Sequence, residues 1–67
     1  MAVAKVTEII AASPKSFDDA IKNGIARADR TLKNVSGVWV KGMNVTLKNG
    51  KVNEYRVNMK VTFILKD

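Results

Sequence analysis

Residues 38–66 read VWVKGMNVTLK-NG-KVNEYRVNMKVTFILK, and this stretch decides the fold. Asn49-Gly50 stands between two β-prone runs. Both central positions of a type I′ turn need positive φ, which Asn and Gly adopt most readily, so the dipeptide marks a two-residue hairpin. The run after it alternates cleanly. Tyr55, Val57, Met59, Val61, Phe63 and Leu65 fall on one face of a strand over 51–66. Glu54, Arg56, Asn58, Lys60, Thr62 and Ile64 fall on the other. The run before it, 38–48, is the partner strand. A two-residue turn pairs Lys48 with Lys51, and an unbroken register then sets Trp39 opposite Lys60, Met43 opposite Arg56 and Val45 opposite Glu54.

Outward from the hairpin, 17–32 carries helical spacing. Phe17, Ala20, Ile21, Gly24, Ile25, Ala28 and Leu32 recur three and four residues apart, giving one apolar stripe. Ser16-Phe17-Asp18-Asp19 fits an N-cap, with Asp19 placed to reach back to the cap amide. The two carboxylates suit the positive end of the helix. Adjacent helical residues point in different directions, so this pair reads as a cap and not as a catalytic dyad. Gly24 costs helix propensity, which the close approach of another backbone would offset. Asn34 is the stop, and Ser36-Gly37 reads as a loop or strand entry. Upstream, 2–10 leans to strand through Val3, Val6, Ile9 and Ile10, and Ala11-Ala12-Ser13-Pro14 breaks it.

The fold class is therefore α+β, a β-α-β-β unit with one helix against a three-stranded antiparallel sheet. A right-handed crossover and antiparallel pairing give the spatial order second, third, first strand. The chain of 67 residues makes a single domain over 1–67. It has no Cys and no His, so disulfides, thiolate metal sites and the commonest general base are missing. Ser13, Ser16 and Ser36 lack a base to activate them, and Gly24, Gly37, Gly42 and Gly50 are too scattered for a phosphate loop. No catalytic constellation emerges.

A strand of some sixteen residues spans about 50 Å, against a diameter of roughly 28 Å for a compact domain of this size. The hairpin must curve strongly or project onto a neighbour. On the simple register, Trp39, Met43, Val45 and Ile64 share the face turned from the helix. An apolar patch holding the only Trp marks a subunit or ligand surface. Small domains without disulfides or metals rely on partner subunits, so a homo-oligomer is expected. The net charge of +6 favours anionic partners. No segment is apolar enough to span a membrane, and the first ten residues lack a signal-peptide core. A cytosolic protein without membrane association is the default expectation.

Trp39 has two readings, packing against a neighbouring subunit or a stacking platform for a flat ligand. Arg56, on the same face, is either an ion-pair arginine or a donor to a ring carbonyl or phosphate. Lys60 beside Trp39 reads as a solvated strand lysine leaning on the ring. A nucleic-acid-binding domain is the weakest of the binding readings, because Tyr55, Phe63 and Phe17 are assigned to the core and leave too few stacking rings.

VAKVTEIIAASPKSFDDAIKNGIARADRTLKNV at 3–35, and EYRVNMKVTFILKD at 54–67, resemble the dodecin family over nearly the whole chain. The resemblance implies a shell of twelve copies with tetrahedral symmetry. It implies non-enzymatic storage or shielding of flavins such as riboflavin, FMN or lumichrome, with coenzyme A or calcium bound instead by some relatives. In the family a tryptophan near the start of the second strand stacks on the flavin, and a glutamine of the third strand hydrogen-bonds its ring. Without gaps these positions fall on Gly37 and Arg56, and the only Trp comes two residues later, at Trp39 on the same strand face. Gly37, Trp39 and Arg56 are thus the candidate flavin-binding residues. The departures also admit a shell that has lost flavin and binds an anionic or nucleotide-like ligand or an ion. No carboxylate cluster argues for calcium.

Overall fold

The hairpin and helix legible in the sequence are present in a computed structural model that describes residues 3–65. The elements run β1 (Val3–Ser13), α1 (Phe17–Thr31), β2 (Val35–Lys48) and β3 (Lys51–Leu65). Ala2 and Lys66, expected at the ends of the first and third strands, lie outside the described residues. The sheet order is β1-β3-β2, with both neighbours antiparallel to β3, as expected.

Two boundaries, the end of β1 and the start of β2, differ from the sequence reading. β1 continues through Ala11, Ala12 and Ser13, because each pairs with β3, at Val57, Arg56 and Tyr55. Ser13 is fully buried there. Its hydroxyl donates to the Asp19 carboxylate and accepts from the Lys15 amide at 3.0 Å. β2 begins at Val35, so Ser36 and Gly37 lie within the strand. The helix ends near Thr31, and Asn34 takes a left-handed φ of 62° just beyond it. Asn49 and Gly50 have φ of 53° and 75°, the geometry of the type I′ turn.

The cap is half of a capping box. Ser16 Oγ accepts from the Asp19 amide at 3.0 Å. Asp19 does not reach back to the cap amide; its Oδ2 instead accepts from Ser13 Oγ and Asn23 Nδ2. Gly24 is a close-approach position, as expected, but side chains fill the gap and not backbone. A Cβ there would lie 2.5 Å from Met59 Cε and 2.8 Å from Ala11 Cβ.

The core is small. Ala20, Ala28, Val57, Met59 and Val61 are its buried apolar residues, with Ile9, Ala11, Phe17, Ile21, Val38 and Val40 packed around them. Phe17 meets Tyr55 edge-on at 5.1 Å. The 15-residue helix covers about 22 Å at 1.5 Å per residue. The hairpin strands, of 14 and 15 residues, are about twice as long. Part of the hairpin therefore projects beyond the helix. The molecule measures 51 × 19 × 14 Å, and its radius of gyration of 13.7 Å exceeds the roughly 11 Å of a compact chain this size.

The hairpin register is broken three times, between Val35 and Gly37, Val40 and Gly42, and Thr46 and Leu47. Trp39 does pair with Lys60, but Met43 pairs with Val57 and Val45 with Tyr55. The simple register is thus wrong for these two residues. An extra residue in β3 at Asn53 and one in β2 at Lys41 shift the stretch between them by one, and a one-residue shift exchanges sheet faces.

Candidate functional site

The corrected register separates two exposed apolar surfaces. Met43 and Val45 share the face of Val57 and Tyr55, on the helix side. They remain exposed because α1 lies chiefly over β1 and β3. Leu47 and Val52, paired near the hairpin tip, are exposed as well. Trp39 stands on the opposite face, 72% exposed. Its apolar neighbours across that face are Val6 and Ile10 of β1, also exposed, with Ile64 half-buried. The expected single patch of Trp39, Met43, Val45 and Ile64 does not form.

The surroundings of Trp39 are bare along its own strand. Gly37 precedes it by two residues, and the Lys41 bulge brings Gly42 onto the same face, opposite Asn58. A Cβ at either glycine would meet nothing within 4 Å. The indole therefore stands between two stretches of backbone with open space above them. A Gly inside a strand pattern is a bulge signal, so the part played by Gly42 had a trace in the sequence.

The charges on this face are mostly matched. Lys41 Nζ sits 3.1 Å from Glu8 Oε1, bridging β2 to β1 across β3. Arg56 Nη2 and Nε lie 3.1 and 3.3 Å from Glu54 Oε1 on the same strand. Both pairs are substantially exposed, and such pairs contribute about 0–1 kcal/mol. A shallow depression beside the first pair is lined by Glu8, Ile10, Lys41 and Asn58. The Lys41–Glu8 link was not legible in the sequence, because no local pattern relates residues on two strands separated by a third.

Of the three candidate residues, Gly37 and Trp39 are neighbours on one strand and one face, whereas Arg56 is apart. Its register partner in β2 is Asn44, and it lies four residues along β3 from Lys60. That is about 13 Å at strand spacing. One chain thus presents an exposed indole at Trp39 and a separate guanidinium engaged with Glu54. A ligand touching both must be long, or must sit where a second copy supplies one of them. Among the described residues, no three His, Cys, Asp or Glu side chains are gathered to hold a metal ion. No described helix is long and apolar enough to cross a membrane.

Comparison with known proteins agrees with this architecture. The family model described as Dodecin matches residues 3–66. The chain is 32% identical over 65 residues to a curated dodecin of Thermus thermophilus, covering 97% of this chain and 94% of the relative. It superposes on the solved dodecin from Streptomyces davaonensis with a TM-score of 0.94 and 38% identity, over 98% of this chain and 97% of that one. It also matches the calcium-chelating antigen called calcium dodecin from Mycobacterium tuberculosis. There the TM-score is 0.84 and the identity 28%, over 96% and 91% of the two chains.

Proposed function

The chain belongs to the dodecin family, whose members are small non-enzymatic binding proteins, and from that premise we propose that it stores or shields a flavin of the riboflavin or FMN type. In this reading Trp39 is the stacking platform, Gly37 is the open position beside it, and Arg56 donates to the flavin from a neighbouring copy. The holder is a homododecameric shell in the cytosol. The observation that carries the reading is the exposure of Trp39 on a sheet face where Gly37 and Gly42 leave room for a flat ring. Burying an exposed indole against an isoalloxazine removes apolar area from water and stacks two π-systems, which together contribute about 1–3 kcal/mol.

Support for the shell comes from the same chain. Met43, Val45, Leu47 and Val52 are exposed along a projecting hairpin. A 67-residue chain with so small a core gains most by covering them with copies of itself.

Titration of the purified assembly with riboflavin or FMN tests the reading. Quenching of flavin emission together with quenching of the only Trp is the expected result, and Trp39→Ala abolishes it. Unquenched flavin at micromolar protein rejects flavin storage.

One observation favours a second reading. Glycine and arginine stand where the family's flavin-binding tryptophan and glutamine fall, and a structural neighbour chelates calcium. A shell that has exchanged flavin for another anionic or nucleotide-like ligand, such as coenzyme A, or for an ion, would purify colourless. Its native mass would show the dodecamer with a different retained ligand, or with none.

A further inference from the structure

The charges around Trp39 leave one residue over. On the face that carries the indole, Glu8 is bound to Lys41 and Glu54 to Arg56. Lys60 is the direct cross-strand neighbour of Trp39, and on its other side its register partner is Glu8. Glu8 gives its carboxylate to Lys41 instead. Among the described residues Lys60 therefore has no carboxylate partner. It is half-buried in the centre of the sheet, between Trp39 and Glu8. Asn58 and Thr62, the same-face residues on either side of it along β3, are uncharged.

We infer that Lys60 makes the Trp39 platform selective for planar ring ligands that carry an anionic group. The inference rests on the reading of Trp39 as a ligand platform and specifies the class of ligand it takes. Directly opposed residues on one sheet face have Cβ atoms about 5 Å apart. A ring stacked on Trp39 thus brings its substituents within reach of the Lys60 ammonium. The flexible four-carbon stem lets the charge follow a tail of variable length. Among the described residues, the carboxylates of this face, Glu8 and Glu54, are each already paired with a cation. A neutral ring ligand gains the stacking alone, and an anionic one gains a charge-assisted contact in addition.

Riboflavin and FMN differ only in the terminal phosphate, so together they read the inference directly. Each is titrated into the assembled protein, following quenching of Trp39 and of the flavin, at low and at high salt. FMN binds about tenfold more tightly than riboflavin at low salt, the size of one charge-assisted contact. The gap narrows at high salt. Lys60→Met closes it while leaving riboflavin affinity unchanged, and Lys60→Arg restores it. Equal binding of the two flavins by the unmodified protein overturns the inference and leaves the flavin reading intact. A gap that survives in Lys60→Met, or is indifferent to salt, does the same. Should Lys60→Met fail to assemble, Lys60→Gln takes its place in the same titration, with the same outcomes deciding. Failure of both flavins to bind removes the flavin reading and this inference with it.

Discussion

Trp39 stands directly across from Lys60 even though two register shifts lie between it and the turn that sets the hairpin. The extra residue at Asn53 displaces the pairing one way and the extra residue at Lys41 displaces it back. Their sum is zero at Trp39, and only the stretch between them, including Met43 and Val45, changes faces. Lys41 is the unpaired residue of its bulge, so deleting it leaves Gly42 opposite Asn58, Val40 opposite Met59 and Trp39 opposite Lys60. Its deletion is expected to change stability by no more than about 1 kcal/mol, the contribution of the exposed pair with Glu8. Deletion of the paired residue Val40 instead sets Lys41 opposite Met59 on the core face, or turns Trp39 and Val38 to the wrong faces, and is expected to destabilise by about 3 kcal/mol. Thermal melts with tryptophan emission maxima check both, and a Lys41 deletion as damaging as the Val40 deletion would count against this register.

The same residues show what the sequence made legible. Asn49-Gly50, the alternation from Tyr55 to Leu65 and the stripe of α1 fixed the element order and the sheet order, since each depends on chemistry within a few residues. The ends of the strands depended on partners far away. Ala11, Ala12 and Ser13 look like a break, yet Tyr55, Arg56 and Val57 hold them in the ladder, and Asp19 satisfies the buried Ser13 hydroxyl. The bulge at Asn53 was invisible because that residue does not demand one, and the bulge at Lys41 left only the trace of Gly42, which permits it without requiring it. At the candidate site, the exposure of Trp39 and its pairing with Lys60 could be read from the sequence. The company it keeps could not, since Gly42, Val6 and Ile10 reach that face only through the register of the assembled sheet.

Gly24 is the position where helix propensity and packing oppose each other most directly. Gly24→Ala gains up to about 1 kcal/mol of propensity. The new methyl would lie 2.8 Å from Ala11 Cβ, which cannot move without the strand, and 2.5 Å from the mobile end of Met59. Overpacking of this kind costs about 1–3 kcal/mol, so net destabilisation of about 1 kcal/mol is expected in urea unfolding. Ala11→Gly in the same background recovers most of it. A stabilised Gly24→Ala protein would show that β1 and α1 separate more easily than their packing implies.

Gly37 offers a gain-of-function test of the proposed flavin site. Its φ is not left-handed and no atom lies within 4 Å of a Cβ there. A larger side chain is accommodated without backbone strain. Gly37→Trp puts an indole where the family carries its stacking ring and leaves Trp39 in place. Stability is expected to change by no more than about 0.5 kcal/mol. Riboflavin affinity, followed by flavin quenching, is expected to rise about tenfold, corresponding to one added stacking contact. Unchanged affinity in an intact assembly would mean that the ligand does not lie over Gly37.

The projecting hairpin carries the last prediction. Leu47 is 64% exposed and Met43 52% exposed, on a part of the sheet that α1 does not cover. Covering the exposed half or so of each of these side chains contributes about 1–2 kcal/mol, and the proposed closed shell repeats the contact in every copy, so small changes are multiplied by symmetry. Leu47→Glu with Met43→Asp is therefore expected to break the proposed shell into smaller species in native mass spectra and sedimentation at micromolar concentration. Leu47 lies apart from the core of Ala20, Val57 and Met59, and Met43, although it pairs with Val57, is 52% exposed and is not packed against that core, so the fragments should retain β-sheet circular dichroism. Lys48→Glu, at the same tip but polar to begin with, is expected to leave the particle size unchanged. If the double variant sediments like the unmodified protein, the hairpin is not what the copies cover, and the exposed face around Val6, Ile10 and Trp39 becomes the contact between them.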